Sequence, residues 1–209
     1  ANRGGLTGIC NRRYALELNG SSGYVDCGHD ASLSVLGELT IGAWIFPRNL
    51  ARGRQGIVCK AADGEFELLV EPNGALTFWQ ANGADGGSSV AGAVAVGRWS
   101  YVSAVRNATG DTVTLLVDGT VAGVVPLRLA AKASTKSLLI GRLSSGSGFF
   151  DGFVRDVVLW SVARTVSDVG GDLRRPPPGP TDADAGSPDS QLPVAAWRFD
   201  TTASPVPDV

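Results

Sequence analysis

The feature that most constrains this chain is its punctuation. Short apolar or alternating segments recur along nearly its whole length, each bounded by Gly, Asn or Asp. Alternation with period two, rich in branched and aromatic residues, is the pattern of half-buried strands in an antiparallel sheet. Read this way, strands are expected at Tyr14–Leu18, Tyr24–Cys27, Leu39–Phe46, Gly56–Lys60, Glu65–Glu71 and Ala75–Gln80. The second half offers Trp99–Arg106, Thr112–Val117, Thr120–Val125, Ser137–Gly141, Gly152–Trp160 and Val194–Phe199.

Two joins are legible as hairpins. Glu71-Pro72-Asn73-Gly74 and Asp118-Gly119 each sit between two such segments, and Asn-Gly and Asp-Gly favour the tight primed turns that match strand twist. Helix is expected only at 165–173, where Thr165 or Ser167 caps a single turn. The Pro-rich run from Arg174 and the Asp/Ala/Gly/Ser stretch to Gln191 read as an extended surface connector. The expected organisation is an N-terminal extension over 1–13, a sandwich over 14–173, the connector over 174–191, and a returning strand and tail over 192–209.

A chain of 209 residues, 44% hydrophobic and 18% charged, suits one globular domain that needs no metal or disulfide framework to fold. A net charge of −2 argues against nucleic acid as a partner, and no run reaches the roughly 18 apolar residues of a membrane-spanning helix. The first residues, Ala1 to Gly5, show no charged-then-apolar leader, which fits either a processed end or loss of an initiator Met. Cys10, Cys27 and Cys59 are too few and too dispersed for a zinc site. Cys59, inside an apolar run, reads as a buried and inert thiol.

Several of these segments resemble, in order, the motifs of laminin-G-like jelly-roll domains of the concanavalin A-like lectin/glucanase superfamily. They are Tyr14–Val25, Leu39–Ile45, Gly97–Val102, Leu115–Gly119, Ile140–Arg142, Phe150–Trp160 and Pro193–Asp200. The resemblance implies an all-β, antiparallel two-sheet jelly-roll sandwich with one short helical turn near the C-terminus. It does not fix function, because many functions are grafted on this fold. It also places Trp44, Trp99, Trp160 and Trp197 at family positions, read here as core.

Trp79 reads differently. Leu76 and Phe78 have inward parity, so Trp79 shares the outer face with Thr77. An outward-facing Trp suits a sugar platform, a protein interface or packing under a loop. The expected ligand-binding set is Trp79 with Glu65 and Glu67 on the same, solvated face, and Asn82 and Asp85 in a loop at its rim.

Catalytic chemistry is sparse. The one histidine, His29, lies in a turn after a strand, where a solvated role is the default. Glu65, Glu67 and Glu71 share one parity, and some glucanases of the superfamily carry a similar acidic strand. Residues two apart rise about 6.5–7 Å along a strand, whereas a retaining pair needs about 5–5.5 Å. The chain is therefore read as no enzyme.

The resemblance also implies a calcium site, but here Asn19 and Arg155 replace its carboxylates, so no cofactor is expected there. Arg155 is expected to pair with Asp156 or Asp26, and a rim calcium site from Asp85, Asp111 or Asp151 stays open. The leading expectation is a lectin-like adhesion module that recognises a glycan or glycosylated surface, extracellular or on a particle. The alternative is a subunit of a large assembly held by protein–protein contacts, with glycoside hydrolysis a distant third.

Overall fold

The structure, a computed structural model, describes residues 15–60, 64–81, 85–174 and 192–199. Along these run β1 (Leu16–Asn19), β2 (Val25–Asp26), β3 (Leu39–Pro47), β4 (Gln55–Lys60), β5 (Phe66–Val70), β6 (Leu76–Gln80) and β7 (Asp85–Ser88). They continue with β8 (Ser100–Asn107), β9 (Thr112–Val117), β10 (Thr120–Pro126), β11 (Leu138–Ile140), β12 (Asp151–Trp160), α1 (Val166–Asp172) and β13 (Ala195–Trp197).

All pairings are antiparallel and form two sheets. The larger has the order β1-β12-β3-β8-β9-β10, with β13 also paired to β12, and the smaller has the order β2-β11-β4-β5-β6-β7. Ile41, Ala43 and Ile45 of β3, Val102 and Ala104 of β8, and Val113, Leu115 and Val117 of β9 face inward. There they meet Phe66, Leu68, Val70, Leu76 and Phe78 of the smaller sheet in one core cluster. Side chains two apart point to one face, so the sequence alternation is itself the reason the two sheets close on each other. Burial of this apolar face is the main stabilising term.

Both hairpins form, but only the second uses the primed turn expected of it. At the first, Pro72 and Asn73 are the central residues of a turn in which the Gly74 N–H donates to the Glu71 carbonyl at 2.9 Å, and Gly74 alone is left-handed, with φ of 76°. Asp118 and Gly119 have φ of 50° and 73°, the two left-handed residues that a type I′ turn requires. Helix α1 is closed at its N-terminus by a capping box. Thr165 accepts from the Asp168 backbone N–H, and the Asp168 carboxylate accepts from that of Thr165.

Three findings depart from the sequence reading. Asp85–Ser88, read as rim loop, is a strand paired to β6. Its glycines carry little strand propensity, but a Cβ at Gly87 would lie 2.8 Å from Val125 Cγ1, so the small residue is what lets β10 approach.

Trp44 and Trp99 are not core. Inward parity on β3 belongs to Ile41, Ala43 and Ile45, so Trp44 and Phe46 point away from the smaller sheet. There they join Trp99, Phe153 and Tyr101 in a second, outer layer with ring centroids 5.5–5.9 Å apart for the closest pairs. Trp160 is buried but outside the main cluster, and Trp197 borders it.

The third departure lies in β12, whose register shifts between Arg155 and Val158. Asp156 there has φ of 48°, and the bulge resets the alternation so that Val157 and Leu159 return inward. Cys59 is buried and Cys27 half-buried, both as free thiols, while Cys10 lies outside the described residues.

Candidate functional site

On the outer face of the smaller sheet one cross-strand row runs Asp26, Leu139, Cys59, Glu67, Trp79, Gly86. The loop after β11 folds back over this face. A Cβ at Gly56 would meet the Arg142 carbonyl carbon at 2.4 Å, so glycine is needed for the loop to lie so close. Leu143 from that loop buries itself with Cys59 and Leu69, and Trp79 packs against this small cluster, half-exposed. The Trp79 indole Nε1 has no hydrogen-bond partner among the described residues.

The expected acidic residues are not solvated. Glu67 is 7% exposed, and its Oε1 accepts from the Ser144 backbone N–H at 2.8 Å and the Ser144 hydroxyl at 2.6 Å. Glu65 is wholly buried at the sandwich end, where its Oε1 lies 2.9 Å from Lys60 Nζ and accepts from Ser34 Oγ and Ser134 N. The parity argument misplaced it because Glu65 precedes the first paired residue of β5, where strand alternation has no hold. Glu65 and Glu67 therefore have separate partners, and Glu71 pairs with Arg54 at 3.1 Å.

Asp85 is buried too. Its carboxylate accepts from Gln80 Nε2 and from the backbone N–H groups of Arg128 and Leu129, which tie β7 to the segment after β10. Asn82 lies outside the described residues. Of the expected set, Trp79 alone reaches the surface among those described.

The sequence reading missed Tyr24, Arg142 and Phe149. Val25 packs inward, so Tyr24 faces out beside the loop, 40% exposed. The Arg142 guanidinium carbon lies over its ring at 3.9 Å. The signal was an arginine one residue beyond the Ile140-Gly141 strand end, followed by a Ser/Gly loop. Nearby, Asp26 is held below the ordinary carboxylate range, first by the Gly28 N–H and then by the Ser137 hydroxyl. The Cys27 thiol is pushed up to about 12, by burial and then by Asp26.

The residues do not fit calcium where the resemblance put it. Asn19 Oδ1 already accepts from the backbone N–H groups of Ser21, Ser22 and Gly23. Arg155 places its Nε 4.0 Å from Asp156 Oδ2, the pairing expected with Asp156. Of the rim acids, Asp151 is bound by Arg48 at 3.0 Å and Arg52 at 3.5 Å. No three His, Cys, Asp or Glu side chains converge as metal ligands among the described residues.

An open groove of about 410 Å³ at the loop end is lined by Arg48, Leu50, Asn73 and Val94 among others. The Arg48 guanidinium there is already committed to Glu17, Asp151 and the Leu18 carbonyl.

A laminin-G-type family profile of the concanavalin A-like lectin/glucanase superfamily matches residues 19–170. The chain belongs to this superfamily. Solved structures agree on the fold. A Bacteroides ovatus protein proposed to bind carbohydrate superposes with TM-score 0.68 at 16% identity, covering 91% of this chain and 53% of its own. This superfamily member thus spans about half that protein's length. The CBM40 module of a Ruminococcus gnavus sialidase, solved with α2,3-sialyllactose, gives TM-score 0.59 at 15% identity, covering 76% of this chain and 96% of its own. Domain 4 of an extracellular arabinanase from Geobacillus stearothermophilus, solved with arabinotriose, gives 0.57 at 16% identity, covering 76% and 75%. These structural neighbours are carbohydrate-binding domains, some carried by glycoside hydrolases. No curated protein sequence matches. No helix among the described residues is long and apolar enough to cross a membrane.

Proposed function

We propose that this chain is a non-catalytic carbohydrate-binding module that takes a glycan on the outer face of its smaller sheet. The observation that carries this reading is Trp79, an outward-facing indole braced from below by Cys59, Leu69 and Leu143 and left half-exposed. Sugars present alternating apolar C–H faces and hydroxyl edges. A rigid aromatic face flanked by orienting polar groups suits both. The Ser144 to Ser147 loop, tied through Ser144 to Glu67, the cross-strand neighbour of Trp79, supplies hydroxyls on this face, and Tyr24 at the β2 side supplies an exposed ring. Glu67 then serves as a support that fixes the loop through Ser144, and Glu65 and Asp85 as buried ties of the scaffold.

The glycan-bearing neighbours support the ligand class, and the same reading puts the module outside the cell or on a particle surface. A glycan array probed with wild type and Trp79→Ala, matched for folding by circular dichroism, tests it. Reproducible binding that falls at least tenfold in Trp79→Ala is the expected result. A folded wild type that binds no glycan overturns the proposal and returns the assembly-subunit reading.

A further inference from the structure

On the reading that the smaller-sheet face holds a glycan, we infer that Arg142 forms an anion subsite on it, selecting sugars that carry a carboxylate or sulfate.

The Arg142 guanidinium carbon lies 3.9 Å from the Tyr24 ring centroid and 5.8 Å from that of Phe149. The two rings are 6.3 Å apart and tilted by 55°, so they form a corner in which the guanidinium rests against an aromatic face. Stacking of this kind restrains an arginine without consuming its N–H donors. Those donors are not consumed elsewhere. Arg142 makes no hydrogen bond or ion pair among the described residues, and its Nε is shielded from solvent without a partner.

Other arginines of the chain are committed. Arg48, Arg54, Arg98 and Arg164 each hold a carboxylate oxygen within 3.1 Å, and Arg106 donates to the carbonyls of Gly37 and Val35. The carboxylate that acts on Arg142 is Asp26, but it accepts from its own Gly28 N–H at 2.9 Å and stands exposed to solvent, where its field is screened.

Arg142 is also placed to share a ligand with Trp79. It directly precedes Leu143, which packs in the cluster that braces the indole, and Ser144, which bonds Glu67. A sugar lying along the loop would meet an indole at one end and the Nη donors of a restrained guanidinium at the other. A planar carboxylate or a tetrahedral sulfate presents two oxygens at the spacing the guanidinium fork engages.

The test is affinity for matched sets of glycans, each backbone offered in neutral, carboxylated and sulfated form: lactose, sialyllactose and sulfated lactose, together with the same series for every backbone retained on the array. The subsite predicts that one or both charged forms bind roughly tenfold or more tighter than the neutral form, as a charge-assisted bidentate bond would give. Arg142→Ala then removes that preference, while Arg142→Lys, which keeps the charge without the fork, restores only part of it. Trp79→Ala weakens neutral and charged forms together and leaves their ratio in place. Carboxylate-only or sulfate-only preference identifies the anion. Equal binding of neutral and charged forms, or a preference that survives Arg142→Ala, overturns the subsite while the glycan reading stands. Absence of all glycan binding overturns both.

Discussion

The Lys60–Glu65 pair offers a sharp test of how the sandwich end is held. Both side chains are fully buried, and Lys60 Nζ lies 2.9 Å from Glu65 Oε1. The ammonium has three donors, and all are engaged, with the Ser134 carbonyl at 3.2 Å and the Lys136 carbonyl at 3.0 Å as the other two acceptors. Replacing Lys60 by Met fills the volume but leaves a buried carboxylate with only Ser34 and Ser134 as donors, and two carbonyls without theirs. Removal of one partner of a buried pair costs about 3–5 kcal/mol. For a domain of this size that lowers Tm by roughly 6–20 °C. Glu65→Gln keeps the shape and an acceptor but strands the buried Lys60 ammonium, so its cost falls at the lower end of the same range, about 3 kcal/mol.

The deciding quantity is the double variant. Lys60→Met with Glu65→Gln leaves no lone charge, so its loss falls short of the sum of the singles by at least about 1.5 kcal/mol. Urea unfolding followed by tryptophan fluorescence, with the slopes checked for equality, gives all three values. A Lys60→Met cost below about 1 kcal/mol, or additivity within about 0.5 kcal/mol, would refute a mutually dependent buried pair.

Two further predictions concern packing and ionisation. In Gly42→Ala the new Cβ would lie 2.0 Å from Tyr101 Oη, whose hydroxyl donates to Asp172 at 3.3 Å. The expected loss is about 1–3 kcal/mol, partly recovered by Tyr101→Phe in the same chain, and a neutral Gly42→Ala in thermal unfolding would contradict the close approach. With the Cys27 thiol pushed up to about 12 from 9.0, its thiolate fraction at pH 8 is about a thousandfold below that of an unshifted thiol. Peptide-resolved iodoacetamide labelling should therefore find Cys27 slow in the native protein and fast in urea. Because the folded value is raised, the Cys27 contribution to stability holds below pH 9 and drains away between pH 9 and about 12. Rapid native labelling of Cys27 would show that the site is open.

The strands and hairpins were legible because they rest on local rules. Alternation sets which residues can face a core, and Asp118-Gly119 sets its own turn. What escaped needed information from distant segments. The glycines of β7 form a strand because β6 and β10 lie where only small residues fit. Trp44 sat beside three inward apolar neighbours, and nothing local says that the larger residue belongs to the second layer. Glu65 and Asp85 looked solvated because acids usually are, whereas Ser34 and Ser134, which hold Glu65, and the Arg128–Leu129 backbone, which holds Asp85, lie far from them in sequence. Trp79 was found from parity alone, but Tyr24 and Arg142, at the other side of the same sheet, are 118 positions apart and meet only through the pairing of β2 with β11.

The outer layer on the larger sheet gives the molecule a front and a back. Arg155 stacks between Trp44 and Trp99 at 5.2 and 4.7 Å, and α1 covers Tyr101, Val105 and Leu116 through Val169, so much of that side is upholstered by the chain's own residues. Helix α1 itself stays reachable there, with Val166 47% exposed. A cysteine introduced at Val166 would tether the protein to a bead or sensor chip by its back and leave the Trp79 face turned toward whatever flows past.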